Sequence, residues 1–462
     1  MNRRRVLIGL GAVTGAGVLG RFTLLPPSRS RALEPTDQLA VRFFDSLDAE
    51  QRSVACVDYD HPLRQYHNRG VWGGGLWASP TQLGWEQRRL LTDLLHAGLS
   101  EAGRERVPRE YYTRWPGVHS MKVLVCGNPK SPPYQLILTG AHVNLRVGGA
   151  SREGAAFGGP LVYGDQRGDS VPGLPGNLYR FQLDTATRLF RNLRPDEQRL
   201  ALQKTSPVQT DIQLQGPGGS FPGVPISSLS AENRALAREL IGGILSTYPD
   251  DDAAYAWKCL EHNGGPEALA LSYYEDSDPG RRGAPQNIRL EGPAAVFYFR
   301  GDPHVHAFLS VGMNADAPLS VGESLGENPA TLEGDGVRRL FEAAMLDQLG
   351  ADLAYYDPES VAGRLRRGPI RTGDLYALES WQSSAVRVEV KGSSLSPVLV
   401  EVLRAAGKTL DPGRTYAVAT TSYTAHEAAT ERLGQVGAVH PGPLLREVAI
   451  AYVKKHGFPA AG

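Results

Sequence analysis

The sequence predicts an α+β protein in two domains, and three observations carry that expectation. At 462 residues the chain exceeds the size at which one hydrophobic core usually keeps growing. The middle of the chain alternates apolar and polar residues at the period of two that marks half-buried strands, and amphipathic helical stretches accompany it. From Asp316 to Asp335 the composition turns polar and glycine-rich, with Gly322-Glu323, Gly326-Glu327-Asn328-Pro329 and Glu333-Gly334-Asp335-Gly336 and no apolar periodicity, as at a domain boundary. The expected organisation is a leader over 1–32, a first domain over 35–315, a linker over 316–335 and a smaller α+β domain over 336–462.

Helices open the body of the chain. Thr36-Asp37 reads as the cap of a run through Phe43, Phe44 and Leu47, which resumes over Asp48 to Val54 after a short break. A second helix is expected over Ser79 to Ala102, with Pro80 in its first turn and Leu90, Leu91, Leu94, Leu95 and Leu99 along one face. Between them, Asp58 to Trp72 mixes His61 and His67 with acids and aromatics, a combination suited to a cleft wall and equally to a surface connection. Tyr179 to Arg191 reads as a strand-like turn and Asp196 to Gln203 as a helix. Ser230 caps a long amphipathic helix reaching Tyr248, and Ala254 to His262 continues the helical layer.

The hairpin from Ala294 to Asn314 carries the strongest chemical signal. Ala294 to Arg300 is a strand, Gly301-Asp302-Pro303 a turn, and the second strand alternates strictly. Val305, Ala307, Leu309, Val311 and Met313 share one face, so His304, His306, Phe308 and Ser310 share the other, with the two imidazoles roughly 7 Å apart along the strand. In Gln135 to Val147 the pattern changes after Gly140, which suggests a bulge, and then sets Val143, Leu145 and Val147 opposite His142, Asn144 and Arg146. If both segments belong to one sheet, His142, His304 and His306 form a three-imidazole set suited to a divalent transition metal, zinc first, with copper or iron as alternatives. A hydrogen-bonded polar patch would use the same residues without a metal. Asn144, Arg146, His61 and His67 are candidate substrate contacts beside it.

The remaining features bound the function. Forty-nine basic and 49 acidic residues cancel, so the net charge gives no electrostatic reason to expect nucleic acid or an anionic membrane as partner. Cys56, Cys126 and Cys259 are too widely spaced for a thiolate metal knuckle and allow at most one disulfide. The glycine- and proline-rich stretch from Gly148 to Pro175 lacks the spacing of a phosphate-binding loop. Asn2-Arg3-Arg4-Arg5-Val6-Leu7 resembles a twin-arginine export signal, and the apolar run to Leu19 is short and glycine-rich for a membrane span. The chain is accordingly expected to use the twin-arginine machinery and to work outside the cytoplasm with no span in the mature protein; a retained basic anchor is the alternative.

Two resemblances extend this reading. Phe44-Asp45-Ser46-Leu47-Asp48-Ala49-Glu50-Gln51-Arg52, Leu94-Leu95-His96-Ala97-Gly98-Leu99-Ser100, Gly140-Ala141-His142-Val143-Asn144-Leu145 and the His304-Val305-His306 hairpin resemble the DUF3500 family over roughly Asp37 to Asn314. That family typically has Gly-His-His where this chain has Gly140-Ala141-His142, so one histidine is missing. It implies a shared domain and no particular reaction.

The second resemblance lies in the C-terminal domain. Its expected elements are a helix over Val337 to Leu349, a strand over Ala351 to Tyr356, a helix or turn near Leu375, a strand over Val386 to Val390, a helix over Ser394 to Ala406, a strand over Tyr416 to Thr421 and a helix over Pro443 to His456. Ala351-Asp352-Leu353-Ala354 with Asp357-Pro358, Gly368-Pro369-Ile370-Arg371-Thr372-Gly373-Asp374-Leu375-Tyr376 and Val386 to Gly392 resemble the C-terminal domain of secreted 5'-nucleotidases. The resemblance implies a nucleoside-recognising module, with Asp357, Trp381 and Tyr423 near its ligand positions. Asp357-Pro358-Glu359-Ser360-Val361-Ala362 departs from the family's Asn-Pro-Gly-Gly-x-Arg, and Ser380-Trp381-Gln382-Ser383 from its Pro-Phe-Gly-Asn. Of the metallophosphoesterase motifs, Gly-Asn-His-Asp/Glu does not occur and Asp-x-His occurs once, as Asp302-Pro303-His304 in the hairpin turn, so 5'-nucleotidase activity is not expected.

The functional expectation is an exported metal-dependent enzyme, a hydrolase first, acting on a small-molecule ligand. The alternative is a non-catalytic binding protein of the cell envelope. Changing Arg3→Lys and Arg4→Lys together should leave folded protein in the cytoplasm; unaltered export in a fractionation assay would remove the twin-arginine assignment.

Overall fold

A computed structural model describes residues 35–65, 74–114, 117–140, 143–148, 155–156, 161–165, 178–207, 212–275, 285–301, 305–315, 319–361, 363–379 and 382–459. The chain divides into two compact units, Leu33–Val321 and Gly322–Gly462. Within the stretch expected as a linker, Ser324–Asn328 is a strand that pairs with Gly368–Arg371. Its stability comes from main-chain pairing with largely exposed side chains, so apolar alternation does not announce it.

The first unit is built on a thirteen-stranded sheet among the described residues. Four strands, β1 (Lys122–Asn128), β2 (Ser131–Thr139), β3 (Val143–Val147) and β4 (Leu161–Asp165), form an antiparallel meander. A second meander comprises β5 (Ala270–Tyr274), β6 (Asn287–Gly292), β7 (Ala295–Arg300) and β8 (Val305–Gly312). Strands β4 and β8 pair antiparallel, with Val305 opposite Asp165, His306 opposite Gly164 and Ala307 opposite Tyr163. The two meanders are thereby one continuous sheet.

The eight helices of this unit are α1 (Thr36–Ser46), α2 (Ala49–Ala55), α3 (Trp85–Ala97), α4 (Glu101–Arg114), α5 (Arg180–Asn192), α6 (Pro195–Ala201), α7 (Ala231–Leu245) and α8 (Asp250–His262), counted among the described residues. Their apolar faces join one side of the sheet in a single core. Phe43, Leu94, Leu189 and Ile241 meet Val123, Leu136, Leu145, Leu271, Ile288, Phe297, Ala307 and Leu309 there.

Element order shows that the unit is duplicated. Helices α1 and α2 lead into Cys56–Val57, which runs parallel to β1, just as α5 and α6 lead into Leu202–Gln203, parallel to β5. Registers match row for row: Cys56, Val125, Leu136 and Val147 in one half correspond to Leu202, Tyr273, Ile288 and Phe299 in the other. Hydrogen bonds repeat too. Gln87, third residue of α3, donates from Nε2 to the Ser46 carbonyl at 2.8 Å, and its counterpart Asn233 in α7 donates from Nδ2 to the Asn192 carbonyl at 3.2 Å. Leu90, Leu91, Leu94 and Leu95 are buried at the positions taken by Leu236, Ala237, Leu240 and Ile241. The halves also touch at equivalent turns, where the Ser100 hydroxyl donates to the Ser246 carbonyl at 2.6 Å.

Several boundaries differ from the sequence expectation for identifiable reasons. The helix read over Ser79 to Ala102 is two helices. Ser79 to Leu83 is a turn, with the Leu83 amide on the Ser79 carbonyl, and the break falls at Gly98, where a Cβ would stand 2.4 Å from Leu145. Pro35 rather than Thr36-Asp37 caps α1. Tyr179 to Arg191 is mostly helix α5, burying Leu183, Ala186, Leu189 and Phe190 at helical spacing. β2 ends at Thr139 and the Gly140 amide bonds the Val143 carbonyl at 2.7 Å, so the segment is two separate strands, β2 and β3, rather than one bulged strand. All three cysteines are free.

The second unit has a four-stranded sheet in the order Leu353–Ala354, Thr415–Thr421, Ser384–Leu395 and Gly434–Leu444. Val386, Val388, Val390, Tyr416 and Val418 bury against Leu399 and Leu403 of the helix Pro397–Ala405, which Ser396 caps by accepting from the Leu399 amide. Helices Asp335–Leu349 and Leu445–His456 pack on each other. Strand Gly434–Leu444 escapes a reading of the sequence because none of its residues is fully buried. Among the described residues, no helix is long and apolar enough to cross a membrane.

The duplication makes a paired prediction. Gly75 and Gly223 hold equivalent positions, both with positive φ (79° and 108°), and a Cβ at either would lie 2.3 Å from the Val123 carbonyl oxygen or 2.2 Å from that of Leu271. Gly75→Ala and Gly223→Ala should each destabilise the unit by about 2 kcal/mol or more, since left-handed backbone alone costs about 1–2 kcal/mol with a side chain. Denaturant unfolding measures both; a neutral result at either site would contradict the close approach.

Candidate functional site

The face of the sheet turned away from the helices is polar and yet buried. Because Val143, Leu145 and Val147 belong to the helix-side core, Asn144 and Arg146 of β3 must point to the other side. The same parity places Gln135 of β2, Asn287, Arg289 and Glu291 of β6, Arg300 of β7, and His306 and Ser310 of β8 on that side. Asn144, Arg146, Gln135, Asn287, Arg289, Glu291 and Ser310 are all buried, and His306 is half-buried. Irregular segments cover this face. Ile212 packs on Val296, Tyr298 and Phe308, while Leu214, Leu319 and Val321 cluster beside it.

Three residues expected at the site therefore share a face. Tyr163 of β4 lies opposite both Val143 and Ala307, so β3 and β8 stand two strand spacings apart, about 10 Å. His306 lies across from Gly164, which contributes no side chain between them, and from Arg300 on its other side. His142 and His304 lie outside the described residues, as do His67 and Trp381. His61 precedes the 3-10 turn Pro62–Gln65 and accepts from the Leu63 amide at Nδ1, 3.2 Å away. In the second unit Asp357 is buried and caps a turn by accepting from the Glu359 amide at 3.0 Å, with Arg432 Nε 3.9 Å away. Tyr423 is half-buried on the helix Ser422–Glu427.

Charge on the polar face is unevenly balanced. Arg289 donates from Nη1 to Glu291 Oε1 at 2.8 Å, a buried ion pair beside the stacked rings of Tyr298 and Phe308, whose centroids are 4.9 Å apart. Arg146 instead donates from Nη1 to two neutral oxygens, the Arg64 carbonyl at 2.7 Å and Gln135 Oε1 at 2.9 Å. Burial pulls its pKa down to about 9, opposed by Cys126 and reinforced by Arg64. Burial likewise pushes the Cys126 thiol up to about 12, so it stays neutral near pH 7. Arg64, fully buried, pairs with Asp60 at 3.3 Å and lies over the Tyr59 ring. Among the described residues no group of three His, Cys, Asp or Glu side chains is placed to hold a metal ion.

Arg64, Gln135, Arg289 and Glu291 were not singled out by the sequence reading. The strict alternation Asn287-Ile288-Arg289-Leu290-Glu291 carries the signal for two of them. Arg64 has none, since its position depends on a turn folded over a distant strand.

With the geometry in place, the chain can be compared with known proteins. The family described as "Protein of unknown function (DUF3500)" matches residues 30–310. The chain belongs to the DUF3500 family. The matched DUF3500 segment spans nearly the whole duplicated unit. No curated protein matches the chain. Distant likeness extends to solved 5'-nucleotidase structures: a 5'-nucleotidase precursor from Thermus thermophilus at 13% identity and TM-score 0.26, over 42% of this chain and 52% of that one. A putative 5'-nucleotidase from Staphylococcus aureus gives 11% identity and TM-score 0.22, over 38% and 50%. The NAD nucleotidase of Haemophilus influenzae gives 11% and 0.22, over 41% and 55%. This DUF3500 chain thus spans about half the length of these structures, and the likeness is one of fold alone.

The Arg289–Glu291 pair yields a stability prediction. Removing one partner of a buried ion pair strands the other charge, at a cost of about 3–5 kcal/mol, whereas replacing both with apolar residues relieves it. Glu291→Leu should therefore destabilise the first unit severely, and Arg289→Met with Glu291→Leu should recover much of the loss in urea unfolding. Equal losses for single and double variants would show the pair is not coupled.

Proposed function

We propose that the protein is an exported hydrolase of small molecules, working with a divalent transition metal, zinc first, on the polar face of the duplicated sheet. The observation that carries the reading is the common face of His306, Asn144 and Arg146, contributed by two strands from different halves of the unit. His306 would hold the metal together with His142 and His304. Imidazoles suit zinc, copper and iron alike. Once bound, such an ion would polarise the bond to be cleaved.

The chain's own residues supply positioning. Asn144 offers an amide and Arg146 a guanidinium on the strand two spacings from His306, where a substrate lying across Gly164 would reach both. The stacked Tyr298 and Phe308 rings, packed under Ile212, lie on the same face. Asp357 is engaged by its cap and Arg432, so the substrate role falls to the first unit.

The test is elemental analysis of natively exported protein, paired with a panel of ester, amide and phosphoester substrates. Stoichiometric zinc that is lost in His306→Ala, together with loss of hydrolysis, is the expected result. Metal-free, inactive protein would replace this reading with a non-catalytic binding protein.

A further inference from the structure

We propose that Arg146, with Arg64 beside it, is the anchor for an oxyanion, so that the ligand of this face is a small molecule bearing a carboxylate or phosphate group. The inference rests on the polar face being the ligand-binding face and not on the metal. Nε and Nη2 of Arg146 have no hydrogen-bond partner among the described residues, although the side chain is fully buried. Those two nitrogens form one edge of the guanidinium fork, the edge that meets two oxygens of a carboxylate or phosphate side by side.

The charge count points the same way. The groups that act electrostatically on Arg146 are Arg64, a second cation, and Cys126, whose thiol is held neutral by burial. Asp60, which pairs with Arg64, is half exposed. Arginine remains charged even with its pKa drawn down to about 9, so a buried cation lies here with only neutral carbonyl oxygens against it. Burying an uncompensated ion is among the costliest arrangements in a fold. In the other half of the same sheet the chain meets that cost with its own acid: Arg289 has Glu291 at 2.8 Å. Among the described residues no acid pairs with Arg146, and an incoming anion supplies the missing charge and the two acceptors together.

The experiment compares thermal unfolding of the exported full-length protein in inorganic phosphate, in succinate and in chloride at equal ionic strength. A ligand of the folded state raises its stability in proportion to ln(1 + [L]/Kd). Phosphate or succinate should raise the midpoint above the chloride value in a saturable way, and the larger of the two shifts names the class of anion. Arg146→Met should abolish the shift, and Arg146→Lys, which keeps the charge without the fork, should weaken apparent affinity at least about tenfold, the loss of one good charge-assisted hydrogen bond. No shift over chloride in the wild type, or an equal shift in the wild type and Arg146→Lys, overturns the proposal. If Arg146→Met does not fold, the Lys variant alone decides. Metal content measured on the same samples separates the two ideas: an anion shift in metal-free protein leaves this inference standing without the metal, and bound zinc without an anion shift does the reverse.

Discussion

Everything in the first unit depends on the antiparallel pairing of β4 with β8. Each meander alone is a four-stranded sheet with an open edge, and an open edge exposes a row of backbone donors and acceptors that must find partners. Joining the edges satisfies both rows and extends the helix-side core, so Leu145 of one half and Leu309 of the other belong to one cluster. The same pairing brings His306 and Arg146, far apart in sequence, onto one surface. Packing and site are thus consequences of a single seam.

The two faces of that sheet are held by different physics. The helix side is a conventional apolar core, in which two sets of four helices bury equivalent positions. The opposite side buries arginines, amides and a glutamate beneath irregular segments, where each polar group needs a partner to offset its lost hydration. Arg289 finds Glu291, whereas Arg146 finds Gln135 and a backbone carbonyl. A surface that carries such uneven compensation is better suited to receiving a ligand than to holding the fold together, since an apolar surface would serve the latter at lower cost.

Much of this was legible in the sequence. Period-two alternation fixed the two faces of β3 and β8, and Ser230 marked as a cap the start of a helix that the structure has. The helix α5 was misread because Tyr179 to Arg191 carries few of the usual start signals; Tyr179 offers no side-chain cap. The bulge inferred at Gly140 arose from reading two strands as one. The duplication was also present in Leu83-Gly84-Trp85-Glu86-Gln87-Arg88 and Leu229-Ser230-Ala231-Glu232-Asn233-Arg234, which share their leucine, glutamate and arginine at matching positions. Its meaning emerges only when Gln87 and Asn233 are found making the same tertiary contact. Arg64 was beyond reach of sequence patterning, because no periodicity relates a 3-10 turn to the strand it covers.

The seam also sets an order of events during folding. Contacts inside each meander join neighbours in sequence, so the chain entropy lost in closing them is modest; β4 and β8 are separated by two helical pairs and most of the second meander, making theirs the most expensive loop to close. Each half can therefore gather its helices and strands locally before the long-range closure occurs. The shared polar face comes into being only with that closure, which makes the proposed ligand recognition a property of the assembled pair of halves and of neither half alone.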